Sequence, residues 1–397
     1  MRHPFAALFA ASPTLLLAAS FTLLQACSSM PSSFSLNPMD WFSSGPGGPK
    51  PAELPQLSNP QGVKVLWSSN IGAAEAFIFT PALSGDSVYA ASRSGTVARL
   101  DAASGQAKWR VSVGTRISGG VGSDDTLAVV ATDEGEVIAL DAQNGVVKWR
   151  SRVSSEVLAA PRLGDGLVLV RSADSRIFAF GAEDGKRRWV YQRAAASLIV
   201  RSPAGLTVHQ GSVYVGFSGG KLAAIALANG TLRWEATVAL PKGATELERV
   251  TDIVGDPFAQ GREVCAAAYQ GRVACYDAQN GNQLWSRELS SLTGVSFDAR
   301  YAFVSDDKGA IHALDRTNGR SVWKQDRLSN RQLSLPLPLG TEVVTGDLQG
   351  FVHFVARESG AFLARQKTDG ALRAGPVPLI GSLLVQTEAG GLYAFGP

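Results

Sequence analysis

Gly216-Phe217-Ser218-Gly219-Gly220 fits the G-x-S-x-G pattern of a nucleophile elbow, the turn that presents an attacking serine in many hydrolases. That chemistry needs a strand running into a helix. This run falls instead between two apolar, strand-like segments, in register with Arg93-Ser94-Gly95 of an earlier repeat, so a hairpin turn is the expectation. His3, His209, His312 and His353 are too scattered to suggest a metal site. His312 and His353 occupy equivalent strand positions and are expected to fill core or channel space. The acid pairs Asp124-Asp125, Asp133-Glu134 and Asp306-Asp307 lie at strand ends, where solvated turn residues are expected. General acid–base work would need a pocket around them. No residue is therefore assigned to catalysis, to a cofactor or to a metal.

Cys265 and Cys275 flank a turn at Gln270-Gly271. A two-residue loop there would pair Ala266 with Cys275 and turn Cys265 to the other face. A three-residue loop would set the two thiols opposite each other, and an oxidising compartment would then permit a disulfide. Two buried free thiols are the expectation.

The elements that hold these residues come from a repeat, which decides the fold before any single motif does. One copy runs from Ser87 to Trp109, with Gly95, Leu100-Asp101, Gly105 and Trp109 as its markers. The same marks return as Gly135, Leu140-Asp141, Gly145 and Trp149, and as Ser175, Phe180-Gly181, Gly185 and Trp189. Gly220, Gly230 and Trp234 follow, then Gly271, Tyr276-Asp277, Gly281 and Trp285, then Gly309, Leu314-Asp315, Gly319 and Trp323. A seventh copy has Gly350, Gly360 and Ala364 in place of Trp, and an eighth breaks off after Gly390-Gly391 at Phe395-Gly396-Pro397. Each unit reads as short apolar strands bounded by Gly, Asp and Asn. The first Gly suits a tight turn, the Asp can accept turn amides, and the Trp can bury about 150–250 Å² against a neighbour. Successive Trp spacings of 40, 40, 45, 51 and 38 residues match four-stranded propeller blades.

The two ends of the repeat complete one another. The eighth unit stops before its Trp strand, and Val63-Lys64-Val65-Leu66-Trp67 stands alone ahead of the first unit. Pairing them leaves no free edge at the seam, whereas an open solenoid would leave both ends bare. The expected fold is all-β: an eight-bladed β-propeller of four-stranded antiparallel blades, closed by the N-terminal strand joining the last blade.

Ahead of the propeller, Arg2 and His3 precede an apolar run over residues 5–24, which ends at Leu24-Gln25-Ala26-Cys27. That is the arrangement of a secretory signal, and it resembles the lipobox of bacterial lipoproteins. The resemblance implies a signal peptide over 1–26 and a diacylglyceryl group on the Cys27 thiol. Ser28, where Asp would mark inner-membrane retention, implies an outer-membrane anchor with the chain facing the periplasm. Residues 27–62 are rich in Ser, Pro and Gly and are expected to be a flexible tether, about 30 Å root-mean-square in span. The propeller then occupies 63–397. Lys and Arg number 37 against 34 Asp and Glu, so no strong field favours nucleic acid.

The Gly, Leu-Asp, Gly and Trp unit also resembles the repeat of pyrroloquinoline-quinone dehydrogenases. Those enzymes carry an adjacent Cys pair, calcium ligands and an Asp base beside the quinone. Here no two cysteines adjoin and no quinone site is recognisable, so the blade motif specifies fold and not function. Lipobox, tether, eight blades and a seam closed by the first strand together resemble the BamB family, lipoprotein subunits of the outer-membrane β-barrel assembly (BAM) complex. That resemblance covers nearly the whole chain and implies a non-enzymatic scaffold. It further implies binding to the periplasmic POTRA domains of the central subunit, BamA, and help in inserting outer-membrane proteins. Unpaired blade edges could also hold unfolded barrel substrates by strand addition.

The resemblance is most specific in Leu198-Ile199-Val200-Arg201-Ser202-Pro203 and in the insertion Thr245-Glu246-Leu247-Glu248-Arg249-Val250-Thr251-Asp252. Leu198, Val200 and Arg201 match the family's first contact loop and Asp252 its second. Val254 stands where the family often has another acid. The intramolecular alternatives are packing of Leu198 and Val200 beneath their loop and an Arg201–Asp252 ion pair between the loops.

Overall fold

The computed structural model of the chain describes residues 49–57, 60–194 and 200–397. Cys27, the signal segment and Leu198 lie outside the described residues. The described strands form eight four-stranded antiparallel sheets, seven of them meanders of consecutive strands. Blades 1 to 7 span 82–112, 119–152, 162–192, 206–237, 253–288, 296–325 and 337–367. Blade 8 takes three strands from 377–396, and its fourth is Lys64–Asn70, paired antiparallel from Lys64 opposite Gly396 to Asn70 opposite Gly391. The ring closes as the split repeat requires.

Each blade carries its core in its two middle strands. Leu127–Ala131 is buried throughout, whereas Val147–Arg152 buries Trp149 and exposes most of its neighbours. Seven indoles join the blades. Trp67, Trp109, Trp149, Trp189, Trp234, Trp285 and Trp323 each donate Nε1–H to a carbonyl of the next blade, at Ala102, Ala142, Ala182, Leu227, Ala278, Arg316 and Arg357, over 2.7–3.0 Å. Each ring also lies flat on the second glycine of that next unit. A Cβ built on Gly185 would stand 2.6 Å from the Trp149 ring, and Gly185 has φ +65°. Backbone angle and close approach both demand glycine there. At Ala364 no indole is needed, because the turn it would cap in blade 8 is where the chain is interrupted.

Where the repeat carries its Asp, that residue holds the turn as expected: Asp101 Oδ1 accepts from the Ala103 and Ser104 amides, and Asp141 Oδ1 from those of Gln143 and Asn144. Gly216 and Phe217 end one blade 4 strand, and Ser218-Gly219-Gly220 is the hairpin turn into the next, with Gly219 and Gly220 at positive φ. Two other expectations need correction. Cys265 lies directly opposite Cys275, and the pair is a disulfide with a Cα separation of 4.1 Å. The turn has three residues, so the register that brings the thiols together wins over the one that separates them. Asp306 is not a solvated turn acid: it bonds His312 Nε2 at 2.9 Å, as Asp347 bonds the equivalent His353 at 2.8 Å in a wholly buried site.

The tether expected to reach residue 62 is also shorter than the sequence suggested. Ala52 donates its amide to Ser329 O, Leu54 packs on blades 6 and 7, and Gln61 donates to Leu363 O. Proline and serine content alone gave no sign of these bonds.

Two outcomes follow. Gly185→Ala should cost about 2–4 kcal/mol, because the Trp149 ring must leave its seat; an unchanged urea midpoint would contradict the indole–glycine contact. In denatured but unreduced protein, Cys265 and Cys275 should resist thiol alkylation, and replacing both with Ala should lower stability by about 2–3 kcal/mol for so short a loop.

Candidate functional site

In a four-stranded meander, the second-to-third turn and the link to the next blade emerge at the same end of every blade. All such connections therefore share one face of the ring. Phe77, Glu156, Val200, Arg201 and Asp252 lie in links between blades, at four places in the sequence, and the ring gathers them on this loop face.

Arg201 does not pair with Asp252. Its guanidinium meets Glu156, with Nη2 2.8 Å from Oε2 and Nε 3.3 Å from Oε1, and it lies 5.6 Å from the Phe77 ring centroid. Arg93 covers the same ring at 4.1 Å and is itself held by Ile117 O and Asp133. Phe77 thus sits between two cations, an arrangement favoured by the aromatic quadrupole. Arg201 keeps about 41 % of its side chain exposed and has donors to spare beyond those given to Glu156.

Asp252 is only 5 % exposed, so the contact role implied for it becomes one of support. One carboxylate oxygen accepts the Val200 amide at 2.6 Å and the other the Gly219 amide at 3.2 Å. The second link thereby pins the first. Burial raises the Asp252 carboxyl above its ordinary range despite these two bonds and the nearby charge of Arg171. Arg171, half-buried beneath, is pushed down to about 10 by desolvation and donates to Ala204 O at 2.8 Å, fixing the far side of the same loop. Val254 is fully packed in the core, so the missing second acid of the family leaves no gap at the surface.

The insertion before blade 5 has its own fastening. Glu248 accepts the Ala244 and Thr245 amides, and Thr245 Oγ1 accepts the Glu248 amide, a reciprocal cap that holds a single turn. Leu247 within this turn and Leu240 ahead of it are exposed to solvent. Elsewhere on this face, Val200 and the half-buried Ile78 and Leu292 line a small cavity at the channel mouth. Apolar side chains around an oriented guanidinium are what protein interfaces concentrate.

The family profile described as outer membrane protein assembly factor BamB matches residues 56–117 and 93–325. A protein of that name from Bordetella pertussis is 42 % identical over 360 residues, covering 90 % of this chain and 93 % of its own. The chain belongs to the BamB family. A Pseudomonas aeruginosa member is 43 % identical over 349 residues, covering 87 % of this chain and 92 % of its own. The crystal structure of BamB from Moraxella catarrhalis superposes with a TM-score of 0.79 at 27 % identity, over 85 % of this chain and all of that one. A quinohemoprotein alcohol dehydrogenase from Comamonas testosteroni gives 0.66 at 14 % identity, covering 84 % of this chain and 77 % of its own. That second likeness is one of fold alone.

Sequence reasoning singled out Val200, Arg201 and Asp252, which the ring brings to one face, but not Glu156 and Phe77, which pack against Arg201. Their signal was positional: both occur in the stretch that follows a blade's Trp strand, after Trp149 and Trp67. Asp252→Ala should leave the Val200 and Gly219 amides unpaired, at about 1–3 kcal/mol. Amide exchange at both positions should then accelerate while the blade cores stay protected; unchanged exchange would remove Asp252 from this role.

Proposed function

We propose that the chain is a non-enzymatic lipoprotein subunit of the outer-membrane β-barrel assembly complex, and that its loop face binds the periplasmic POTRA domains of BamA. In this reading, Cys27 carries the lipid that anchors it to the outer membrane with the propeller in the periplasm. Val200 and Arg201, with Leu198 beside them in sequence, are the contact residues. Glu156, Phe77 and Asp252 orient them. The observation that supports it best is the pre-set Arg201: its guanidinium is steered by Glu156 and Phe77 before any partner arrives, which lowers the entropy that binding must overcome. A closed ring of eight paired sheets carries the loop face, so in this reading its work is to hold the partner's domains in place.

Arg201→Glu should weaken capture of BamA POTRA domains by at least about 30-fold, as expected for loss of a charged hot-spot residue worth 2 kcal/mol or more. Glu156→Gln should weaken it less, through a poorly oriented Arg201. Undiminished capture by a folded Arg201→Glu protein would end the assignment of this site.

A further inference from the structure

The described N-terminal residues do not lead straight into the seam. Lys50 O accepts from Asn330 Nδ2 at 3.2 Å, and the Ala52 amide donates to Ser329 O at 2.9 Å. Asn330 and Ser329 belong to the link between blades 6 and 7, on the loop face. From there the segment descends along blade 7. Pro55 is buried, and its carbonyl takes both terminal nitrogens of Arg365 at 3.2 Å. Gln61 reaches Leu363 O near the opposite face, where Lys64–Asn70 begins its climb as the last strand of blade 8.

A buried charged cluster grips this strap. Arg331 donates Nε–H to Asp347 at 2.6 Å and Nη1–H to Ala52 O at 2.9 Å. The same Asp347 oxygen bonds His353 Nε2, and the other oxygen accepts the Phe351 amide. Arg365 Nε–H points at His353 Nδ1 over 3.3 Å, and since arginine cannot accept, His353 is neutral with its proton on Nε2. Asp347 and His353 are 0 % exposed and Arg331 is 5 %. Removing the strap would leave a buried guanidinium N–H without its acceptor, a cost well above that of an exposed contact. The strap therefore completes the cluster instead of merely resting on it.

We propose that residues 50–57 are a clamped strap that moves the exit of the N-terminal segment from the seam to the loop face, so that the membrane holding the Cys27 lipid lies on the side of Val200 and Arg201. The membrane half of this inference rests on the lipoprotein reading of Cys27. The clamp also limits reach: the 23 residues from Cys27 to Pro49 extend to about 75 Å at most, against about 125 Å if the segment were free up to Val63.

Two measurements on the full-length chain test the two halves separately. A Glu-specific protease should cut after Glu53 slowly in the parent protein and about ten-fold faster in Arg331→Ala/Arg365→Ala. Asn330→Gly, which removes the side-chain amide given to Lys50 O and suits the left-handed backbone there, should also accelerate the cut while leaving the cluster's own bonds in place. Equal rates in all three proteins would overturn the clamp. For orientation, fluorophores are placed at Glu134→Cys on the loop face or Ile380→Cys on the opposite face, in lipidated protein reconstituted into vesicles carrying a lipid-borne quencher. The Glu134 label should be quenched more strongly, and the difference should shrink in the double variant. Equal quenching, or stronger quenching at Ile380, overturns the orientation. Protein that fails to float with the vesicles would instead overturn the lipid reading and with it the membrane half, while the protease result still decides the strap.

Discussion

The ring depends on one contact repeated around it: the indole of one blade lying on a glycine of the next, with its N–H given to a neighbouring carbonyl. The contact is apolar in area and polar at one tip, so it both excludes water and fixes the angle between blades. Glycine has to be the partner, because its left-handed backbone and the absence of a Cβ let the ring close to van der Waals distance. Where the chain is interrupted in blade 8, the indole and its turn disappear together. Phe354, opposite Ala364, supplies a ring from the neighbouring strand instead. The seam is thus a local rewriting of the same rule.

A frame of this stiffness explains the character of the loop face. Its links are not held by strand pairing, so each needs its own fastening, and the fastenings differ. A buried carboxylate holds the Val200 loop, a reciprocal cap holds the insertion, and a stacked pair of cations holds Phe77. Burying Asp252 is unfavourable in itself, as its raised carboxyl range reflects, and two backbone amides offset that cost. Strand ladders give the ring its rigidity, and a few charged groups pass that rigidity on to the links.

The seven-fold recurrence of glycine and tryptophan made the blades legible, because hairpin turns and flat ring contacts tolerate few residue types. Strand position was legible for the same reason, and so was the closing strand. The site was legible in part. Arg201 and Asp252 were singled out by resemblance to the family's loops, and the alternative of an ion pair between them is not formed, because Glu156 reaches Arg201 from blade 2's link and burial takes Asp252 inward. The cysteines turned on a single residue of loop length, which a turn sequence such as Tyr269-Gln270-Gly271 does not fix: here Gln270, and not Gly271, takes the positive φ.

By itself, then, the sequence determined the unit, the number of units and how the ends meet, since each follows from local periodicity and from which residues a tight turn or a close ring contact will accept. Only the tertiary structure decided which charges face each other, whether the thiols meet, and that the stretch before Val63 is clamped to blades 6 and 7. Those outcomes depend on pairs brought together from links tens to hundreds of residues apart, such as Arg331 with Ala52, and no local pattern records the distance between them.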